Sequence, residues 1–214
     1  MKLPLVISVE RAENAGAAIT RAAEVILSGG IVAVPTESFY GLAVNALDEA
    51  AVRRLLAVKR IRENHPILTL IPSRDALRKY VLSIPPVADL LMNAFWPGGL
   101  TLVFHASAFI PPLLTAGTGK IGVRLSSHPL AAGLARMVGL PITGTSANLT
   151  GKPACVSAGE VFTSLGEGVD LILDGGKTEG GKGSTLLDIT VDPPRILREG
   201  MVGLDQLEKF VPGI

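Results

Sequence analysis

Four short clusters of hydroxyl, amide and charged residues stand directly after apolar runs of the sequence. They are residues 35–38 (PTES), 124–128 (RLSSH), 145–148 (TSAN) and 183–185 (GST). Arginine forks match carboxylate and phosphate groups, and serine or threonine hydroxyls orient such groups through hydrogen bonds. Together the clusters predict a site for an anionic, hydroxylated ligand. For any single cluster, the alternative is that its hydroxyls cap the following helix.

The elements that must position these clusters follow from hydrophobic periodicity. We predict strands, after a first strand near the N-terminus, at residues 31–34, 67–71, 100–104, 121–125, 141–145, 171–173 and 185–191. We predict helices at residues 15–28, 48–60, 85–94, 129–138 and 204–210, and a short one around Leu77. Strands and helices do not alternate strictly. The expected fold is therefore one α/β domain, residues 1–214, with a twisted, mixed β-sheet flanked by helices. Ligands of such sheets bind beyond the strand ends, where the clusters lie.

Composition limits the classes of protein to consider. Hydrophobic residues make up 48% of the 214 residues and charged residues 18%, which suits a sizeable core and excludes a disordered chain. The single cysteine, Cys155, excludes an internal disulfide and a cysteine-built zinc site. A net charge of +1 gives no indication of tight nucleic-acid binding. The apolar start is too short for a signal peptide or a membrane span, so we expect a cytoplasmic protein.

Several catalytic motifs are incomplete or absent. Residues 176–182 (GKTEGGK) have the spacing of a P-loop, but Gly183 stands where a magnesium-binding hydroxyl is required. A strand pattern follows, whereas a P-loop leads into a helix. We therefore predict a glycine-rich loop here that can fold over a ligand. No G-x-S-x-G motif occurs, and the three histidines lack the spacing of a metal site.

The polar clusters belong to longer stretches that resemble the motifs of one family. Residues 35–42 (PTESFYGL) are similar to the PTETVYGL signature of the YrdC-like family. Five further stretches resemble its later motifs, in order: FWPGGLTLVF (95–104), VRLSSHPLA (123–131), TSANLTGKP (145–153), GSTLLD (183–188) and PRILREG (194–200). The chain ends soon after the last motif, so we expect the short form of the family, without an extra C-terminal domain.

The resemblance implies an enzyme whose fold presents a concave ligand-binding face. Members of the family condense L-threonine, bicarbonate and ATP to threonylcarbamoyl-AMP and pyrophosphate, for the threonylcarbamoyl-adenosine modification of tRNA. The carbamate oxygen formed on threonine attacks the α-phosphate, so the protein holds two anionic reactants together and needs no nucleophile of its own. The resemblance also implies Mg²⁺ bound by the triphosphate and water, and a downstream threonylcarbamoyl-transfer enzyme and tRNA as partners.

Matching positions imply roles for individual residues. The residues implied for threonine binding are Thr36, Arg124 and Ser184. Those implied for ATP binding are Lys59, Lys120, Gly144, Ser146, Ala154 and Arg198. From residue type alone, the alternatives are surface ion pairs for the two arginines and a solvated helix end for the first lysine. Tyr40 and Trp96 are expected to be packing residues.

The segment after Lys59 departs from the family pattern K-G-R-P-x-x-N-P-L. Ile61 stands at the position of the arginine and His65 at that of the asparagine, while Leu70 and Gly183 replace a histidine and a glutamate. These changes affect the subsite implied for the phosphates.

Two arginines flank Ile61, which stands at the position of the family arginine. Arg60 lies on the helical turn of Lys59 and is expected to face solvent, whereas Arg62 follows in an irregular segment in which a side chain is easily re-aimed. We predict that Arg62 takes the place of the family arginine on the triphosphate.

Two other functions stay open at this point. A non-catalytic RNA-binding module could use a basic group of residues: Arg53, Arg54, Lys59, Arg60 and Arg62. Aromatic residues make up only 4% of the chain, however, and indicate no stacking platform. A carbamoyl-transfer domain of the hydrogenase-maturation type is the other alternative. Those proteins are much longer and carry zinc-finger cysteines that this chain lacks.

Overall fold

The structure, a computed structural model, describes residues 3–9, 12–61 and 65–214, with only the backbone of residues 12 and 13. The strands in these residues are β1 (Leu5–Ser8), β2 (Val32–Pro35), β3 (Tyr40–Ala43), β4 (Thr69–Leu70), β5 (Leu100–His105), β6 (Lys120–Arg124), β7 (Ile142–Thr143), β8 (Thr145–Ser146), β9 (Leu171–Asp174), β10 (Thr185–Asp188) and β11 (Arg195–Arg198). The α-helices are α1 (Ala12–Leu27), α2 (Glu49–Lys59), α3 (Leu77–Tyr80), α4 (Pro86–Phe95), α5 (Pro112–Thr115), α6 (Pro129–Val138), α7 (Ala158–Leu165) and α8 (Leu204–Leu207).

The described strands form two sheets of mixed strand direction. One sheet has the order β1-β9-β2-β3-β8, and the other has the order β11-β10-β5-β6-β4-β7. Each contains parallel pairs, such as β1 with β9 and β10 with β5, and antiparallel pairs, such as β2 with β3 and β5 with β6. The predicted α/β class and mixed strand direction are therefore confirmed. The expectation of one sheet is corrected to two.

The chain changes sheets at Gly144. The predicted strand at residues 141–145 is divided into β7, at the edge of the six-stranded sheet, and β8, at the edge of the five-stranded sheet. A Cβ atom at position 144 would lie 3.1 Å from Cγ of Leu70, which is a tighter approach than most side chains accept. The Gly144 N–H donates to the carbonyl oxygen of Leu68 at 2.7 Å. A glycine at this position lets the edges of the two sheets meet.

Two apolar clusters fix the sheets. The first joins both sheets: Leu42 and Ile172 come from the five-stranded sheet, and Leu102, Val123 and Leu187 from the six-stranded sheet, with α2 and α4 packed against them. The second covers the opposite face of the five-stranded sheet, where α1 and α6 pack. Each fully buried side chain of this kind contributes about 1.5–3 kcal/mol to the free energy of unfolding.

The other face of the six-stranded sheet carries polar residues. Side chains alternate along a strand, so the neighbours of the buried Leu102, Val123 and Leu187 point away from the core. Among these neighbours are Thr101 on β5, Arg124 on β6 and Asp188 on β10. This side of the sheet, the polar face, leads to the place where the two sheets meet.

Most of the predicted elements are present in the structure. The helix predicted at residues 129–138 is α6, and Gly139 follows it with a φ of 71°. The strand predicted at residues 185–191 already ends at Asp188, because Oδ1 of Asp188 accepts bonds from the backbone N–H and the hydroxyl of Thr190. β3, α5, α7 and β11 were not predicted. None of the described helices is long and apolar enough to cross a membrane.

Candidate functional site

A pocket of about 200 Å³ lies where the two sheets meet. It is lined by the turn between β2 and β3, the end of β6, the junction between β7 and β8, the start of β10 and the end of β11. Six of the ten residues predicted for the site line it: Thr36, Arg124, Gly144, Ser146, Ser184 and Arg198. The structure thus brings together polar clusters that are far apart in the sequence.

Arg124 is held by the carboxylate of Glu37. Its Nη1 lies 2.7 Å from Oε2 of Glu37, and the two side chains are 9% and 10% exposed. The other carboxylate oxygen, Oε1, accepts bonds from the Ser126 hydroxyl at 2.9 Å and from the Ser127 N–H at 2.6 Å. Burial by itself raises the pKa of Glu37, but the charge of Arg124 and the hydrogen bonds together lower it to about 2. Glu37 is therefore ionised and fixes the guanidinium.

The bond to Glu37 leaves most of the Arg124 fork available. Among the described residues, Nη2 and Nε of Arg124 have no hydrogen-bond partner, and the side chain lines the pocket. Arg124 is 7% exposed, so it is not the surface ion pair that the residue type alone allowed. Its remaining donors suit a carboxylate, which an arginine binds with two parallel bonds.

Arg198 reaches the pocket from the edge strand β11. Its Nη2 lies 2.8 Å from the carbonyl oxygen of Ser184 and 3.2 Å from the Ser184 hydroxyl. In the described part of the chain, Arg198 has no acidic partner. Gly183, which stands where the family pattern has a glutamate, lies beside Arg198 and has no carboxylate to offer it. Burial and the nearby Arg124 lower the pKa of Arg198. With two arginines against Glu37, the pocket has an excess of positive charge that suits an anion.

Thr36 closes the turn between β2 and β3. Its hydroxyl donates to the carbonyl oxygen of Phe39 at 2.7 Å, and its N–H donates to the same oxygen at 3.0 Å. The proton of the hydroxyl is therefore used inside the turn, and the lone pairs of Oγ1 stay available as acceptors. A group with N–H donors, such as an amine, fits beside them.

Lys59 lies behind the pocket wall. Its side chain is buried, and Nζ donates to the carbonyl oxygens of Ser146 and Asn148 and to Oδ1 of Asn148. Burial lowers the pKa of Lys59 to about 8. The alternative of a solvated helix end is wrong, because the ammonium group supports the backbone of residues 146–148.

Lys120 and Ala154 lie outside the pocket lining. Lys120 stands at the opposite end of β6 from Arg124, about 13 Å away at the rise of a strand. Its Nζ pairs with Oδ2 of Asp188 at 2.9 Å. Ala154 is half-buried and precedes Cys155, whose carbonyl oxygen accepts a bond from the N–H of Tyr40.

The segment after Lys59 directs its first two side chains away from the pocket. The Arg60 N–H donates to Ala57 and the Ile61 N–H to Leu56, which is the bonding pattern of a Schellman motif. Ile61 packs against the core, and Arg60 lines a separate surface pocket of about 730 Å³. Arg62, predicted to contact the triphosphate, lies outside the described residues.

Tyr40 and Trp96 are both buried, as expected of packing residues, and Tyr40 also lines the pocket. Tyr40 is fully buried, and its hydroxyl donates to the carbonyl oxygen of Gly176 at 2.7 Å. Burial and the charge of Asp174 raise the pKa of Tyr40 to about 12. The indole N–H of Trp96 donates to the carbonyl oxygen of Leu100. Tyr40 therefore also holds the start of the predicted glycine-rich loop, which leads into the strand β10.

Sequence reasoning did not assign Glu37 to the site. It stands in the first polar cluster, and Arg124 stands in the second. The two clusters were expected to meet, and they carry opposite charges. Because a buried arginine needs an acidic partner, this was the signal in the sequence that could have assigned Glu37.

Three comparisons place this geometry among known proteins. A family model described as "Telomere recombination", for Sua5, YciO and YrdC proteins, matches residues 24–200. The threonylcarbamoyl-AMP synthase of Pyrococcus abyssi is 40% identical over 190 residues, which are 89% of this chain and 56% of that protein. The threonylcarbamoyl-AMP synthase of Vibrio cholerae is 35% identical over 77% of this chain and 88% of its own length.

The fold also matches a solved structure. The crystal structure of P. abyssi Sua5 complexed with L-threonine has a TM-score of 0.93 and 36% sequence identity, over 100% of this chain and 62% of that chain. This chain thus spans little more than half the length of its P. abyssi relative. The family model and the identity over most of the chain lead to one conclusion: the chain belongs to the Sua5/YciO/YrdC family.

Proposed function

We propose that this protein is an L-threonylcarbamoyladenylate synthase. The observation that carries the proposal is one pocket. It is lined by the three residues implied for threonine and by three of those implied for ATP: Gly144, Ser146 and Arg198. Two relatives named threonylcarbamoyl-AMP synthase support it. So does the L-threonine complex of a structure with the same fold.

In the proposed reaction, the amine of L-threonine and bicarbonate form a carbamate and water. A carbamate oxygen attacks the α-phosphate of ATP, the bond from the α-phosphorus to the bridging oxygen breaks, and pyrophosphate leaves. The protein supplies position and charge and forms no covalent bond to the substrate.

The threonine subsite follows from the polarity of three side chains. The free donors of Arg124 bind the carboxylate, and the Thr36 hydroxyl accepts a bond from the nitrogen. Ser184 also binds the amino acid, beside Arg198. This arrangement leaves the nitrogen near the Thr36 turn, where it is carboxylated.

The ATP subsite uses the excess positive charge of the pocket. Arg198 and Ser146 contact the nucleotide, and Lys59 acts from behind by supporting the backbone at Ser146. A nucleotide that extends along the polar face from Arg124 reaches Lys120. Arg62 contacts the phosphates, and Ala154 borders the site. Magnesium enters with the triphosphate, bound by phosphate oxygens and water. This fits the described residues, in which no group of three His, Cys, Asp or Glu side chains could hold a metal ion.

The product is a mixed anhydride of a carbamate and a phosphate. A downstream threonylcarbamoyl-transfer enzyme consumes it and modifies tRNA. We place the reaction in the cytoplasm, where the free thiol of Cys155 stays reduced.

The test is the release of pyrophosphate from ATP by the purified chain. It should require L-threonine and bicarbonate together, because the attacking oxygen exists only after the amine is carboxylated. L-serine should react more slowly, since one methyl group in a pocket is worth about 1–3 kcal/mol of discrimination. Release at the same rate from ATP alone would contradict the proposal. Binding of RNA without any release would favour the RNA-binding alternative.

A further inference from the structure

The Ser184 hydroxyl is contacted by two donors from the protein. Ser184 is 7% exposed and lines the pocket. Its Oγ lies 2.8 Å from Oγ1 of Thr101 and 3.2 Å from Nη2 of Arg198. Thr101 lies on the neighbouring strand β5. It belongs to the polar face but does not line the pocket.

The direction of the bond between the two hydroxyls follows from burial. Thr101 is fully buried, and its hydroxyl has no partner other than Ser184 among the described residues. The Thr101 proton must therefore go to Oγ of Ser184, because the reverse direction would leave a buried donor without an acceptor. Arg198 carries donors only, so it also donates to this oxygen.

A serine oxygen has two lone pairs and one proton. Thr101 and Arg198 occupy both lone pairs, and no described residue accepts the remaining proton. We propose that Thr101 is a positioning residue that sets the Ser184 hydroxyl as a hydrogen-bond donor to an acceptor oxygen of the bound amino acid. This inference rests on the proposed function.

The polarity of the Thr36 hydroxyl is the opposite. Its proton is used on the carbonyl oxygen of Phe39, so it presents lone pairs to the pocket. The two hydroxyls therefore bind the ligand in one orientation only, with its nitrogen at Thr36 and one of its oxygens at Ser184. A ligand bound the other way round would oppose donor to donor and acceptor to acceptor.

The test is a double-mutant cycle on the dissociation constant for L-threonine, measured by calorimetry on the full chain. Ser184→Ala removes the donor and should weaken binding about tenfold or more. Thr101→Val keeps the shape but frees a lone pair of Ser184, and should weaken binding by up to about tenfold. The double variant should bind no more weakly than Ser184→Ala, because Thr101 acts only through that hydroxyl.

Two further variants separate positioning from stability. Thr101→Ser keeps the hydroxyl and should bind L-threonine like the wild type. Thr69 is the matched control, since it is fully buried on the same sheet and its hydroxyl donates to the backbone carbonyl of Gly122. Thr69→Val should lower the melting temperature and leave the dissociation constant unchanged. If Thr101→Val does not fold, the comparison of Thr101→Ser with Thr101→Ala measures the effect of the hydroxyl.

The inference is overturned if loss of the Thr101 hydroxyl leaves the dissociation constant unchanged, if the two losses add in the double variant, or if Ser184→Ala binds normally. In each of these cases a wild type that binds L-threonine leaves the proposed function standing. A wild type that binds no L-threonine contradicts the proposed function, and the inference with it.

Discussion

The two arginines of the pocket are held in different ways. Arg124 is buried against Glu37, and Ser126 and Ser127 occupy the second carboxylate oxygen. Arg198 stands on an exposed edge strand and is bonded to neutral oxygens of Ser184. A paired, buried cation has one geometry and suits a small zwitterion that must be oriented. A partly exposed cation with no acidic partner in the described part of the chain suits a flexible polyphosphate, which needs charge more than orientation.

Loss of Arg124 should have the largest effect. Arg124→Ala removes the donors for the substrate carboxylate and leaves Glu37 buried without its partner, so threonine affinity should fall by about 30-fold or more, corresponding to about 2–5 kcal/mol. Arg124→Lys should restore little, because an ammonium group cannot form the two parallel bonds. Calorimetry with L-threonine and with ATP measures the difference between the two subsites.

The control for that measurement is Arg74→Ala. Arg74 pairs with Asp89 at 2.8 Å on the surface, where ion pairs contribute little, so both affinities should stay unchanged. Equal losses of threonine and ATP affinity in Arg124→Ala would mean that the two arginines do not serve separate subsites.

The Glu37–Arg124 pair should also make stability depend on pH. The pKa of Glu37 is lowered from 4.5 to about 2 in the folded state. At pH values between these two pKa values, the unfolded state therefore binds more protons than the folded state. The stabilisation is complete above pH 4.5 and is lost as the pH falls through 2. It amounts to about 3 kcal/mol at 1.36 kcal/mol for each pKa unit. Urea unfolding of the wild type and of Glu37→Gln across this window measures it, and equal pH slopes for the two would contradict the assignment.

Loss of Arg198 should have a smaller effect, which is larger for ATP than for L-threonine although Arg198 also contacts the Ser184 hydroxyl. Arg198→Ala should raise the Michaelis constant for ATP about tenfold, because a charge-assisted bond is worth about 1.5–3 kcal/mol and exposure reduces that value. The loss should shrink as the salt concentration rises, whereas the loss in Arg124→Ala should not. Steady-state kinetics at two salt concentrations test this. A larger effect on threonine than on ATP would exchange the roles of the two arginines.

Substitution of the two arginines that follow α2, Arg60 and Arg62, should have different effects on the kinetics with ATP. Arg62→Ala should raise the Michaelis constant for ATP by up to about tenfold. Arg60→Ala should behave like the wild type, because Arg60 lines a separate surface pocket. The opposite ranking in pyrophosphate-release kinetics would show that Arg60 makes the contact.

The smallest expected effect concerns the backbone at Arg60. Its φ of 55° is a left-handed conformation that is strained for a residue with a Cβ atom. Arg60→Gly should therefore raise the free energy of unfolding by up to about 1 kcal/mol, because relief of the left-handed conformation, about 1–2 kcal/mol, exceeds the entropy cost of glycine, about 0.5–1 kcal/mol. Arg53→Gly, inside α2, should lower it by about 1 kcal/mol. Urea unfolding should show these opposite signs, and a loss of stability in Arg60→Gly would mean that the arginine side chain stabilises the helix end.

Helices and strands could be predicted where a clear hydrophobic periodicity extends over many residues. α6 was predicted with its exact bounds, because Pro129 opens it and Gly139 ends it. β3 was missed because most of its residues belong to the stretch at 35–42, which was interpreted through its resemblance to a family signature and not through its strand pattern. β11 was missed because it is an edge strand of mostly exposed residues, whose pattern carries no buried face.

The sequence by itself determined the α/β class, the family resemblance and the residue types that bind an anion, since these depend on local patterns and on motif order. Only the tertiary structure decided which of those residues meet. It placed Lys59 behind the wall and Lys120 at the far end of β6, and it joined Glu37 to Arg124. The physical reason is that the pocket forms where two sheets meet at Gly144, and the packing of distant strands sets that junction.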